Sequence, residues 1–107
     1  MKHIKTDVLV IGGGSGGLSV AAGASQMGAS VTLLEGHKMG GDCLNTGCIP
    51  SKALIRSAKI LSYIKRHQEF GIKSTTAEFD FSEMMERVQT IIIKVGTHDS
   101  VERYTSL

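Results

Sequence analysis

Apolar and polar positions along the chain alternate between two periods, with glycine or proline at the changes. Asp7-Val8-Leu9-Val10-Ile11 is a short continuous apolar run, rich in β-branched residues and closed by glycine. That is the pattern of a strand buried in a parallel sheet. Leu18-Ser19-Val20-Ala21-Ala22-Gly23-Ala24-Ser25-Gln26-Met27 then gives a helix of small side chains, able to lie close to a sheet and stopped by Gly28. Val31-Thr32-Leu33-Leu34-Glu35 is a second strand ending in an acid. The order strand, helix, strand predicts a βαβ unit and an α/β fold.

Two helical patterns follow. From Ser51 to His67 the chain is amphipathic, and Leu54, Ile55, Ala58, Leu61 and Ile64 are predicted to share one face. Residues 69–79 are irregular, with room for a short strand. Asp80-Phe81-Ser82-Glu83 reads as an N-cap with Glu at the third helical position. The helix it opens carries Met84, Met85, Val88, Ile91, Ile92 and Val95 on one side. Glu83 and Arg87 are spaced as an i,i+4 ion pair. Gly96 weakens this helix, which is expected to fray toward Tyr104. With only two strands written in the sequence, the stripe of Met84, Val88, Ile91 and Val95 is expected to face water and to drive self-association.

The turn between the first strand and helix changes the picture from fold to chemistry. Gly12, Gly14 and Gly17 form G-x-G-x-x-G, and Glu35 follows about 20 residues on. Glycines there allow a tight turn, close approach of backbone to a pyrophosphate, and tight packing of helix on strand. The helix N-terminus adds N–H donors and the positive end of a dipole. An acid in the position of Glu35 can accept hydrogen bonds from both hydroxyls of an adenosine ribose and repels a 2′-phosphate. FAD or NAD therefore fits this turn better than NADP.

Gly40 to Lys52 holds the other concentration of chemistry: both cysteines, Cys43 and Cys48, three glycines and the only proline. In an ideal helix residues five apart lie about 8 Å from one another, and a disulfide needs Cα atoms closer than about 7 Å. A bridge between Cys43 and Cys48 thus requires the backbone to leave the helix between them, where Gly47 does so at least cost. Pro50 favours an extended Ile49 and a fresh helix start. The cysteines taken alone are equally read as reduced, buried thiols or as a redox pair. No second Cys pair or clustered histidine completes a zinc site, and no metal is expected.

Composition narrows the classes. The net charge is +2 over 107 residues, with both signs interspersed, and no basic block argues for nucleic acid. No apolar run approaches the length of a membrane span, and the first residues lack a signal-peptide pattern. A cytoplasmic protein is expected.

Taken together, the phosphate-type turn and the cysteine segment resemble the flavoprotein disulfide reductases, the pyridine nucleotide-disulfide oxidoreductase family. Its redox signature, G-G-x-C-x-x-x-G-C-x-P, is met from Gly40 to Pro50. The resemblance implies that residues 1–107 are the N-terminal segment of a Rossmann-like FAD-binding domain, a βαβ unit followed by two long helices. The NAD or NADP domain and the dimerisation domain of a homodimer would lie outside this chain. It further implies that Gly12, Gly14 and Gly17 hold the FAD pyrophosphate, that Glu35 holds the ribose, and that Gly41 and Asp42 lie beside the flavin. Cys48 would stand next to the isoalloxazine ring as the charge-transfer thiol. Cys43 would exchange with a small-molecule disulfide or dithiol substrate, its thiolate aided by a helix N-terminus, and Lys52 would approach the ring. Ile49-Pro50-Ser51-Lys52 is closer to the dihydrolipoyl dehydrogenase and mercuric reductase branches than to glutathione reductase. Asp42, where threonine is commonest in dihydrolipoyl dehydrogenases, leans toward mercuric reductase. Two other readings remain: a catalytically incomplete nucleotide-binding segment, and a flavin-free thiol-disulfide protein.

Overall fold

A computed structural model describes residues 1–107. Strand β1 (Val8–Ile11) leads into helix α1 (Ser15–Gln26) and back to strand β2 (Val31–Leu34). The strands pair in parallel, Val8 opposite Val31 and Ile11 opposite Leu34. The entry to the sheet is clamped by Asp7 and Ser30. The Asp7 carboxylate accepts from the Ser30 N–H at 2.9 Å, and the Ser30 hydroxyl accepts from the Asp7 N–H at 2.9 Å. Donation from the Ser30 backbone N–H, and then from its side chain, holds the Asp7 carboxyl below the usual carboxylate range.

Helix α1 starts at Ser15, three residues earlier than the apolar pattern indicates, because its first turn includes Gly16 and Gly17. A Cβ on Gly17 would overlap the carbonyl oxygen of Gly12. The glycines that weaken helix propensity are thus the ones that let α1 begin directly against the end of β1. Leu18 and Ala21 are its buried positions, as a helix of small residues pressed on a sheet requires.

The cysteine segment forms two helices that sequence periodicity does not separate. The short α2 (Gly41–Asn45) contains Cys43, and the longer α3 (Cys48–Lys65) begins at Cys48. Pro50 sits in the first turn of α3, where its missing N–H has no helical acceptor to lose. Ile49 is helical rather than extended. A 3₁₀ turn, His67–Phe70, closes α3, and no strand forms between it and α4 (Phe81–Gly96). A break after Gly96 replaces gradual fraying, and a separate α5 (Val101–Ser106) follows, capped by Ser100.

The two long helices run antiparallel. The Met84, Met85, Val88, Ile91, Ile92 and Val95 stripe does not face water. It is buried or half-buried, and Val88 is 1% exposed. The facing stripe on α3 is Ala53, Leu54, Ser57, Leu61 and Ile64, while Ile55 and Ala58 point outward. Burying a side chain of this size is worth about 1.5–3 kcal/mol, enough to turn the two apolar stripes toward each other. Arg87 does not pair with Glu83 in an ion pair. Its guanidinium crosses to α3, donating to the Ala53 carbonyl at 3.1 Å and to the Ser57 hydroxyl at 3.3 Å. Asp80 caps α4 as expected, accepting from the Ser82 N–H at 2.9 Å.

The helical pair projects from the βαβ unit, giving extents of 69 × 27 × 18 Å and a radius of gyration of 20.1 Å. A compact chain of this size has a radius near 13 Å. Eight residues are buried, so the interior is a set of small contacts rather than one large core. Leu9, Ile11, Leu34, Ile55 and Ile93 remain exposed. No helix is long and apolar enough to cross a membrane.

Candidate functional site

The glycine turn and the cysteine segment meet backbone to backbone. The buried Gly40 donates its N–H to the carbonyl of the buried Gly13 at 2.7 Å. One residue further along each strand of this contact, a Cβ on Gly41 would lie 2.8 Å from the Cα of Gly14. Gly40 and Gly41 have φ of 92° and 61°, the left-handed region that glycine enters at no steric cost. Only glycine satisfies both conditions at Gly41. Leu44, one turn along α2, is buried beneath Gly40 and reaches Gly96 at the end of α4. The cysteine segment is thereby held between the glycine turn and the helical pair.

Asn45 ties the same corner from the other side. Its amide nitrogen donates to the Gly41 carbonyl at 2.8 Å and to the Met39 carbonyl at 3.3 Å. Neither Asn45 nor Gly13 and Gly40 stands out in the sequence as more than part of a motif. The signal available for Asn45 is its i,i+4 spacing from Gly41, within reach of a carbonyl one turn back.

Cys43 and Cys48 come together with the helix broken at Thr46 and Gly47, the departure from regular helix that a bridge between them requires. Gly47 is needed for room rather than for a left-handed backbone, since a Cβ there would come 2.9 Å from the Asp42 carbonyl oxygen. Both cysteines are free thiols, Cys43 half-buried and Cys48 exposed. The hydrogen bond to Cys48 pushes the Cys43 thiol up, and partial burial adds to this. The Cys48 N–H and the Lys52 ammonium pull the other way and do not win. Cys43 lies in the first turn of α2, and the Cys48 N–H that lowers its thiol is the first of α3, so helix-terminus help to the thiolate is present but outweighed. Cys43 keeps its proton to higher pH than an ordinary cysteine. Lys52 is exposed, one turn after Cys48, and Asp42 is exposed in the first turn of α2.

Gly12, Gly14 and Gly17 surround the N-terminal turn of α1, which has neither a side-chain cap nor an acid. A Cβ on Gly16 would meet nothing, so the front of the turn is open to a ligand. Its first N–H groups and dipole suit a diphosphate. Glu35 reaches back into this turn, accepting from the Gly13 N–H, and from the His37 N–H at 3.3 Å. Beyond it lies a cavity of about 690 Å³ lined by Ala22, Leu34, Glu35, His37 and Tyr104 among others. That volume is in the range of small-molecule sites and exceeds what an adenosine needs. The donor set, the open turn and the carboxylate-edged cavity fit an adenine dinucleotide such as FAD. Tyr104 in the cavity wall was not foreseen, because α5 is brought there by tertiary packing.

Comparison with known proteins places these features. The profile of the pyridine nucleotide-disulphide oxidoreductase family matches residues 6–104. A dihydrolipoyl dehydrogenase of Bacillus subtilis (strain 168) is 38% identical over 90 residues, covering 84% of this chain and 19% of that protein. A dihydrolipoyl dehydrogenase of Geobacillus stearothermophilus is 41% identical over 92 residues, covering 86% of this chain and 20% of that one. The chain therefore spans about a fifth of the length of the curated relatives it matches. The solved Cu(II) complex of the HOCl-induced flavoprotein disulfide reductase RclA from Escherichia coli shares the fold. Its TM-score is 0.65 at 24% identity, covering 87% of this chain and 18% of that one. A match that runs from before β1 into α5, and so takes in both the open glycine turn and the paired thiols, shows that the chain belongs to the pyridine nucleotide-disulphide oxidoreductase family.

Proposed function

We propose that residues 1–107 are the N-terminal part of the FAD-binding domain of an NAD(P)H:disulfide oxidoreductase of the dihydrolipoyl dehydrogenase or mercuric reductase type. The observation that carries this reading is the Gly40–Gly13 bond, which sets a dithiol directly against a turn suited to a dinucleotide. Gly12, Gly14 and Gly17 would hold the FAD pyrophosphate and Glu35 the ribose, with Gly41, Asp42 and Lys52 toward the flavin. FAD supplies two-electron transfer between a nicotinamide and the protein dithiol.

The chain's own chemistry follows from the two thiols. A Cys43 thiolate attacks one sulfur of a small-molecule disulfide, forming a mixed disulfide and releasing one substrate thiolate, which takes up a proton. Cys48, as thiolate, then attacks the Cys43 sulfur, releasing the second substrate thiolate and closing the Cys43–Cys48 disulfide. Two electrons have passed from the protein dithiol to the substrate, and the reverse sequence oxidises a dithiol. Cys48 beside it raises the Cys43 thiol, so the attacking thiolate fraction grows as pH rises. Cys48, the more open of the two, is the one the resemblance sets beside the flavin. The proposed setting is the cytoplasm, whose glutathione keeps resting thiols reduced.

Three outcomes check this reading. Alkylation with and without reductant, read by mass spectrometry, should show an internal Cys43–Cys48 disulfide after air oxidation. Full labelling of both cysteines without reductant would contradict it. Titration with FAD should show binding that Glu35→Ala weakens about tenfold or more, the scale of a hydrogen bond to a charged group. Equal binding by both proteins removes Glu35 from the site. The two-stranded sheet leaves Leu9, Ile11 and Leu34 exposed, so sedimentation equilibrium of the 107-residue segment should show association as concentration rises. A monomer at every concentration contradicts self-association through that sheet.

A further inference from the structure

The Asn45 amide is half-buried and gives both its observed hydrogen bonds to backbone carbonyls of the segment that precedes the thiols. Met39 and Gly41 flank Gly40, whose N–H is spent on Gly13. The same three residues thus face the nucleotide-type turn on one side and Asn45 on the other. Asn45 also lies between the cysteines in sequence, at the last position of α2 before the break that turns the chain toward Cys48. A side chain that fixes this corner fixes the start of α2, and with it the place of Cys43 relative to Cys48.

We propose that Asn45 is a positioning residue for the dithiol: by holding the Met39 and Gly41 carbonyls it fixes the start of α2, and so the place of Cys43 relative to Cys48 across the Thr46–Gly47 break. Its effect on the reaction rests on the functional reading above, whereas its effect on the register of the reduced thiols does not. Neither neighbour replaces it. The Thr46 hydroxyl donates to the Asp42 carbonyl, at 3.4 Å, and the Ser51 hydroxyl donates to the Cys48 carbonyl, at 3.2 Å. With the amide removed, the two half-buried carbonyls lose a donor, and Met39 and Gly41 lose the side-chain hydrogen bonds that tie them to the end of α2.

The test is the pH profile of Cys43 alkylation by iodoacetamide in the reduced, full 107-residue chain, resolved by peptide mass spectrometry. The nearness of Cys48 raises the Cys43 thiol. Asn45→Ala should therefore move the Cys43 profile to lower pH, toward an ordinary cysteine, and Asn45→Gln, which keeps the donors, should bring it part of the way back. Far-UV circular dichroism confirms that the variants compared are folded. A profile for Asn45→Ala superimposable on the wild type overturns the proposal. Equal shifts in Asn45→Gln and Asn45→Ala also overturn it, since lost packing would then suffice. A second readout equilibrates the same proteins in glutathione buffers. Asn45→Ala should form the internal disulfide about tenfold less favourably, equivalent to about 30 mV for a two-electron couple. A wild-type chain that forms no disulfide in any buffer, with the alkylation shift present, overturns the redox function and leaves the positioning role standing.

Discussion

The structure depends on one backbone contact between two glycines far apart in sequence. Gly13 and Gly40 are both fully buried, and each uses its peptide group on the other's segment. A side chain at Gly13 would collide with Met39, at 2.9 Å, and with Glu35, and one at Gly41 would collide with Gly14. Two strands of backbone can approach this closely only where side chains are missing from both. The contact makes a nucleotide-type turn and a dithiol into a single site. Neither has any other direct bond to the other among the backbone hydrogen bonds of the chain.

Around that contact the rest of the chain acts as a frame. Helix α1 is pinned to β1 through Gly17, and α2 is pinned to α4 through Leu44, so the site is held from both ends. The α3–α4 pair is a lever of a different kind, a long two-helix arm closed by Val88 and by Arg87. Its tip is organised by Arg66, which lies over both Tyr63 and Phe70 and pairs with Glu69 at 3.1 Å. That pair is exposed and contributes at most about 1 kcal/mol; the arm is held mainly by its apolar seam. The two-stranded sheet, with Leu9, Ile11 and Leu34 exposed, is marginal without further cover.

Much of this was legible in the sequence, and the parts that were not have physical reasons. Both strands, the cap at Asp80 and the composition of the α4 stripe follow from local pattern and spacing. The face of α3 was misassigned at Ile55 and Ala58 because an apolar residue next to a stripe is indistinguishable from one in it until the partner helix is known. The α4 stripe was expected to be wet because no partner was evident, yet α3 supplies one. Arg87 left the i,i+4 geometry for carbonyl and hydroxyl acceptors across the seam. Such choices between a local and a tertiary partner do not register in spacing. The motifs name Gly12, Gly14, Gly17, Glu35, Gly41, Asp42, Cys43, Cys48 and Lys52 as candidate site residues. The contacts of Gly13, Gly40, Asn45 and Tyr104 are not written there, because they are set by which segments touch.

The central claim, that the dithiol segment is fastened to the nucleotide-type turn by the Gly40–Gly13 bond, can be read at one amide. Hydrogen exchange followed residue by residue should show the Gly40 N–H protected as well as the Gly12 N–H, which bonds to the Leu34 carbonyl at 2.7 Å within the parallel ladder. Exchange at Gly40 as fast as at the exposed loop amide of Lys38 would contradict the claim, since the two halves of the site would then be joined by sequence alone.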